Sequence, residues 1–237
     1  MNTTYFPVLH PKFVYSVHYV GHENFPVLVI DNFLDQPEFL IYFAENYSSF
    51  NRSRKFYPGV ESLAPDVYSK AIYYYLGDLI CSTFGFSRER ISHCKSTYAI
   101  VTTPPEQLQE CQSRPHIDSP SSLQIAAVHY LCSPSHGGTS LYRHRATGFE
   151  SLTSEKVAQV SACFPDEVKD TTWMGRYING SNDYYEQIAS FDAAFNRMVM
   201  YPSNCLHSGN VGSDFTFDPS PSTGRLTLTT FVRFGDA

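Results

Sequence analysis

Ser113-Arg-Pro-His-Ile-Asp-Ser119 places an imidazole and a carboxylate two residues apart. On an extended strand that spacing puts His116 and Asp118 on one face and turns Ile117 to the other. A second stretch, Tyr201-Pro-Ser-Asn-Cys-Leu-His207-Ser-Gly-Asn210, offers another imidazole much later in the chain. Two histidines and one carboxylate form the facial set that holds non-haem Fe(II) and leaves coordination positions open. His116, Asp118 and His207 are therefore the candidate metal ligands. The third ligand has to come from a neighbouring strand, so its distance in sequence is expected. The pair alone is weak: among nine histidines a His-x-Asp arises readily by chance, and a surface loop with an ordinary His and Asp is the plain alternative.

The rest of the composition bounds the answer. At 237 residues, with 42% hydrophobic and 17% charged content, the chain suits one domain with a full core. Seventeen Tyr and 18 Phe, together with many Thr and Val, lean it towards strands. A net charge of −6, with the cations scattered apart from Arg143-His144-Arg145, argues against a nucleic-acid partner. The six cysteines form no Cys-x-x-Cys pair and no compact disulfide framework, and read as buried structural thiols. The N-terminus lacks the pattern of a signal peptide, and no apolar run reaches spanning length. A cytoplasmic location with no membrane contact is the expectation.

Along the chain, residues 26–33 read as a buried strand. Asp35 then reads as an N-cap with Pro37 in the first turn of a helix carrying Phe39, Leu40, Phe43, Ala44 and Tyr47. A second helix is expected over 65–83, with Val67, Ala71, Ile72, Tyr75, Leu79 and Ile80 as its stripe and Gly85 beyond its end. From residue 91 the pattern changes. Strands are expected at 93–102, 124–131, 139–144, 184–190, 197–201 and 225–234, with a mobile loop at 103–113, a tight turn at 133–138 and a short helix at 153–163. Two helices followed by many short strands give an α+β chain, mainly β, whose body is a sandwich or jelly roll.

The order of these motifs resembles the Fe(II)/2-oxoglutarate-dependent dioxygenases, in particular their prolyl-hydroxylase-like branch. His116-Ile-Asp118 is followed by the strand Gln124–Leu131, the Gly137-Gly138 turn into Tyr142, the strand Asn196–Pro202, His207-Ser208, and a closing strand that starts at Arg225. The likeness covers about half the chain. It implies a double-stranded β-helix (jelly-roll or cupin-like) core over 91–237, with a 148–183 insert and N-terminal helices (1–90) packed on it, all in a single domain. It implies Fe(II), 2-oxoglutarate and O₂ as cofactor and co-substrates, and hydroxylation of a C–H bond with decarboxylation of 2-oxoglutarate to succinate. Arg225 would anchor the distal carboxylate, for which an always-charged, forked cation is suited. Thr227 shares its strand face, and Tyr98 occupies a strand where relatives place a tyrosine near the co-substrate.

The interval from His207 to Arg225 is longer than usual for this branch; the excess, Val211 to Thr223, reads as an inserted loop. Arg143, Arg145 and Arg233 compete with Arg225 for the anchoring role. His129 reads as a satisfied core histidine, His136 as a solvent-exposed turn residue, and His144 either as a strand end or as an anion contact. Arg114 and Asn210 flank the ligands and are expected to orient them. Asp118 disfavours halogenation, which would require that ligand position for halide. A non-catalytic cupin-like binding protein, a Zn(II) hydrolase and a metal-free interaction domain are the alternatives. The substrate, a small molecule or a peptide or protein side chain, is not named by any motif.

Overall fold

The computed structural model describes residues 6–53, 57–167 and 173–236, without the side chains of 164–167. Strands β1 (Val14–Val20) and β2 (Phe25–Asp31) form a hairpin, followed by α1 (Glu38–Tyr47), β3 (Asn51–Arg52), β4 (Gly59–Leu63) and α2 (Asp66–Phe84). Then come β5 (Ile91–Val101), β6 (Gln124–Tyr130), β7 (Thr139–His144), α3 (Ser154–Glu167), β8 (Tyr185–Phe191), β9 (Arg197–Pro202), β10 (His207–Gly209) and β11 (Leu226–Phe234). They assemble into an eight-stranded sheet, β1-β2-β9-β6-β11-β5-β4-β3, and a three-stranded sheet, β10-β7-β8, antiparallel throughout. The architecture is the expected double-stranded β-helix with helices on its outside.

The register of the large sheet decides what faces the site. Tyr98, Leu228 and His129 lie in one cross-strand row, and Ala99, Thr227 and Tyr130 in the next. Residues directly opposite share a face, and successive rows alternate. One face carries Leu28, Ile30, Tyr98, Ala127, Met198, Met200 and Leu228 beneath Leu40 and Ala44 of α1 and Tyr68, Ile72, Leu76 and Ile80 of α2. The other carries Val27, Val29, Ala126, Tyr130, Val199 and Tyr201 against Leu141 of the small sheet. A third cluster, Tyr142, Leu152, Val160, Ile178 and Leu206, joins α3 to the small sheet.

Several sequence expectations shift. The α1 helix starts at Glu38 with Pro37 at the cap position and no side-chain cap; Asp35 does not cap it, and the Asp35 backbone N–H donates to Val8 O. The buried stripe of α2 is centred on Tyr68, Ile72, Leu76 and Ile80, with Val67, Tyr75 and Leu79 only partly buried. Its end is as expected: Gly85, at φ 75°, donates its N–H to Cys81 O. The 103–113 loop holds two single 3₁₀ turns. The 148–183 insert contains α3, longer than the expected helix, and its residues 168–172 lie outside the described residues. Strands β1, β3, β4 and β10 were not signalled by alternation.

Candidate metal centre

The long sequence gap between the two ligand segments closes through the backbone. His116 and His207 exchange two hydrogen bonds, each N–H donating to the other's carbonyl at 2.9 Å, and Asp118 N–H donates to Ser203 O at 2.9 Å. The His-Ile-Asp segment is thus zipped alongside β10 as an isolated bridge rather than a full strand. It carries both its ligand atoms to His207. One potential ligand atom from each of His116, Asp118 and His207 lies within 4.8 Å of the others. The two imidazole rings are 4.4 Å apart, and His207 Nε2 is 3.4 Å from Asp118 Oδ2.

The protonation chemistry suits a metal. His207 Nδ1 lies 2.9 Å from Cys205 O, so Nδ1 carries the proton and Nε2 is left as the ligand atom. Burial lowers the His207 pKa to about 4, against the opposing pull of the Cys205 carbonyl. Burial, then repulsion from His207, lowers that of His116 to about 4, with Asp118 acting in the other direction. Both rings are therefore neutral near pH 7, the form that ligates. His116 is surrounded by protein atoms yet open to solvent, as expected of a side chain lining a concave mouth. Two neutral imidazoles and a carboxylate fit Fe(II) and keep positions free for a co-substrate.

Arg225 stands apart from the other arginines. It is 4% exposed, its guanidinium carbon lies 5.7 Å over the Tyr130 ring, and no acidic side chain pairs with it among the described residues. Nε donates to His136 O at 3.1 Å and Nη2 to Gly138 O at 2.9 Å. That fixes one edge of the guanidinium and leaves the Nη1/Nη2 edge for a ligand. The Gly-Gly turn makes this possible. A Cβ on Gly137, at φ 74°, would lie 1.8 Å from Asn210 O, and one on Gly138 would lie 1.8 Å from Phe191 O. Only a turn without side chains can press this close and present its carbonyls to Arg225.

The competing arginines are engaged elsewhere. Arg143 pairs with Glu150 at 2.5 Å and Glu186 at 2.8 Å. Arg145 is exposed and donates to Asn182 O, and Arg233 is exposed and donates to Gln124 Oε1. Thr227 is 1% exposed, with its hydroxyl directed to Ala99 O at 3.3 Å. His129 is satisfied, bonded to Tyr68 and Asn196. His144 is fully buried against Tyr185 with Nδ1 on Thr147, which replaces both surface readings with a packing role. His136 is half-buried rather than free in solvent, bonded to Ser133 and Thr223 O. Asn210 donates to Ser190 and Arg114 pairs with Glu110 at 3.4 Å; the orienting group on His207 is the Cys205 carbonyl.

Tyr98 is the expectation the structure overturns. It lies in the row beneath the helices, and its hydroxyl donates to Leu40 O at 2.8 Å. A shift of one residue along a strand decides this, because Ala99, not Tyr98, shares the Thr227 face. Sequence reasoning instead missed three other tyrosines. Tyr201 lies with its ring 4.8 Å from His207, and burial followed by the Asp118 carboxylate pushes its pKa well up. Tyr177 donates to Thr103 O at 2.6 Å and stacks on Phe217, bringing the insert and the 211–223 loop together near Arg225. Tyr57 lies beside Arg225 and Thr227. Tyr201 alone had a signal, its place in the segment leading to His207.

The double-stranded β-helix fold is similar to that of solved α-ketoglutarate-dependent enzymes. Three solved structures illustrate the likeness. The non-haem α-ketoglutarate-dependent carbocyclase SnoK of nogalamycin biosynthesis has a TM-score of 0.50 at 11% identity, covering 89% of this chain and 80% of its own. The epimerase SnoN, in complex with Fe³⁺, α-ketoglutarate and nogalamycin RO, has a TM-score of 0.45 at 13% identity, covering 94% and 78%. HygX from Streptomyces hygroscopicus, with nickel and 2-oxoglutarate bound, has a TM-score of 0.45 at 9% identity, covering 87% and 82%. At these identities the likeness is one of fold. By sequence the chain belongs to a family of unknown function, DUF6445, which it matches over residues 11–232. No curated protein matches it.

Proposed function

We propose that the chain is an Fe(II)- and 2-oxoglutarate-dependent dioxygenase that hydroxylates a C–H bond of a small molecule or a peptide side chain, within the prolyl-hydroxylase-like branch. The observation that carries this reading is the coincidence of two features. One is the convergent His116-Asp118-His207 set. The other is a buried arginine, Arg225, with a free guanidinium edge and no acidic partner among the described residues. A binding protein of cupin type needs the first and has no use for the second.

His116, Asp118 and His207 would hold the iron. Bound there with 2-oxoglutarate and O₂, iron supplies an oxidative decarboxylation to succinate and CO₂ coupled to attack on a C–H bond. The chain's own work is positional. The Cys205 carbonyl holds His207 in the ligating tautomer, and the Gly138 and His136 carbonyls aim Arg225 at the distal carboxylate. The Tyr201 ring lies beside His207 and the Tyr130 ring under the Arg225 guanidinium. Asp118 fills the third ligand position, which favours hydroxylation over halide transfer.

Anaerobic addition of Fe(II) and 2-oxoglutarate should give a weak visible charge-transfer band, and O₂ should then release succinate. If correctly iron-loaded protein gives neither, the oxygenase reading fails. A chain that binds iron but not 2-oxoglutarate is a metal-binding protein instead.

A further inference from the structure

Each of the two sheets leaves two edges, and three of the four are blunted. β3 is two residues long and carries Arg52, β8 carries Glu186, and β10 spans three residues and is bridged by His116. The fourth, β1, runs seven residues, Val14-Tyr-Ser-Val-His-Tyr-Val20, with no carboxylate, ammonium, guanidinium or proline. It pairs with β2 on one side without a register shift, and among the described residues no strand pairs with the other side. A long, uncharged edge without a bulge is a template for another chain, and monomeric proteins usually protect it. Val14, Tyr15 and Tyr19 are 55%, 51% and 66% exposed along it.

The order of residues on β1 says what covers it. About Val17 the strand reads nearly alike in both directions: Val14 mirrors Val20, Tyr15 mirrors Tyr19 and Ser16 mirrors His18. A two-fold axis through Val17 that sets two such strands antiparallel places valine opposite valine and tyrosine opposite tyrosine. It also places each Ser16 hydroxyl opposite a His18 imidazole, a match of hydrogen-bonding groups. Ser16 Oγ and His18 Nε2 already lie 2.9 Å apart within one strand. Side chains directly opposite share a face, and Tyr15 and Val17 stand opposite Ile30 and Leu28 on the helix side. The two tyrosine pairs would therefore flank the valine pair in one stripe, and no carboxylate or basic side chain meets its own kind across the axis.

We propose that β1 is the contact between two copies of this chain, an isologous dimer in which two large sheets join edge to edge into one continuous sheet. The strand is about 23 Å long, and a standard interface takes about 800 Å² from each partner. A single strand pair with its tyrosines is small by that measure, so the dimer dissociates on dilution.

Sedimentation velocity of the full chain, from low micromolar to near millimolar concentration, should show the mass rise from one chain to two. Tyr15→Glu combined with Tyr19→Glu sets like charges opposite at both tyrosine pairs and should hold the chain at single mass throughout. Tyr15→Lys combined with Tyr19→Glu should restore the dimer, because each ammonium then faces a carboxylate of the other copy. Within one strand the two positions are about 13 Å apart, too far to neutralise each other. Both tyrosines are more than half exposed, so both variants should still melt cooperatively. If either does not, deuterium exchange of the wild type decides: β1 amides should exchange more slowly as concentration rises, and exchange independent of concentration overturns the proposal. A wild-type chain at single mass throughout overturns it and leaves the edge to an extended peptide of another protein. A double-Glu variant that still dimerises, or a Lys/Glu variant that stays single, overturns the pairing about Val17.

Discussion

The two faces of the large sheet treat buried polar groups in opposite ways. On the helix face the buried Tyr68, His129, Asn196 and Tyr98 are paired within the protein. Tyr68, His129 and Asn196 form a chain in which Asn196 also bonds both backbone groups of Leu34, and Tyr98 is bonded to Leu40. On the inner face Arg225 has no acidic side chain paired with it among the described residues. Completed networks hold a fold together, whereas incomplete ones are kept where a ligand completes them. Substitutions on the helix face should therefore cost stability and spare binding, and those on the inner face should do the reverse.

The largest effect is expected at the metal ligands. His116→Ala should reduce iron loading and 2-oxoglutarate turnover to background while the melting temperature of the iron-free chain changes little, since the ring is open to the cavity and pairs with no side chain that the fold requires. Metal content and succinate release check this. If iron binding survives His207→Ala unchanged, the ligand set is wrong.

Arg225→Gln should come next. Loss of the charge weakens 2-oxoglutarate binding by on the order of 100-fold, the range of a buried charge-assisted pair, and leaves iron content intact. Because the guanidinium also ties down the His136 and Gly138 carbonyls, some stability is lost as well. Equal loss of iron and 2-oxoglutarate would show that Arg225 acts only through the fold.

These two sites were legible in the sequence for different reasons. The His-x-Asp spacing, the distal histidine and the late strand opening at Arg225 are local patterns that survive folding unchanged. The two strong helices and seven of the strands were also readable, because their apolar periodicity is set by one dominant face. β1 and β10 were not. The first is exposed along most of its length, so it lacks an alternating pattern, and the second is three residues long. Tyr98 failed for a sharper reason: strand period alone does not say which of two neighbouring residues faces inward, and Tyr98 and Ala99 are both buried. Tyr57 carried no signal, because only the pairing of β4 with β5 brings it to Arg225.

A smaller effect, and one of stability alone, is expected at His129. Its Nε2 faces Asn196 Oδ1 and its Nδ1 faces the Tyr68 hydroxyl, an arrangement satisfied by the neutral ring protonated at Nε2. Burial lowers its pKa to about 4, with the Asn196 bond opposing, against about 6.5 in the unfolded chain. The unfolded state therefore binds the extra proton between these values. The contribution is full above pH 6.5 and is lost as pH falls towards 4. Between pH 7 and pH 5 the wild type should lose about 2 kcal/mol more than His129→Gln does. Urea unfolding at the two pH values measures the difference, and parallel losses in the two proteins would remove His129 from the account.

The smallest effect belongs to Tyr98→Phe, and it divides the two faces most cleanly. The substitution keeps the ring in its apolar bed and removes only the bond to Leu40 O, leaving that carbonyl without the side-chain donor. A loss of about 1 kcal/mol is expected, with a lower melting temperature and no change in 2-oxoglutarate affinity. If Tyr98→Phe weakened 2-oxoglutarate binding while leaving the melting temperature alone, the register that places Tyr98 under the helices would be wrong.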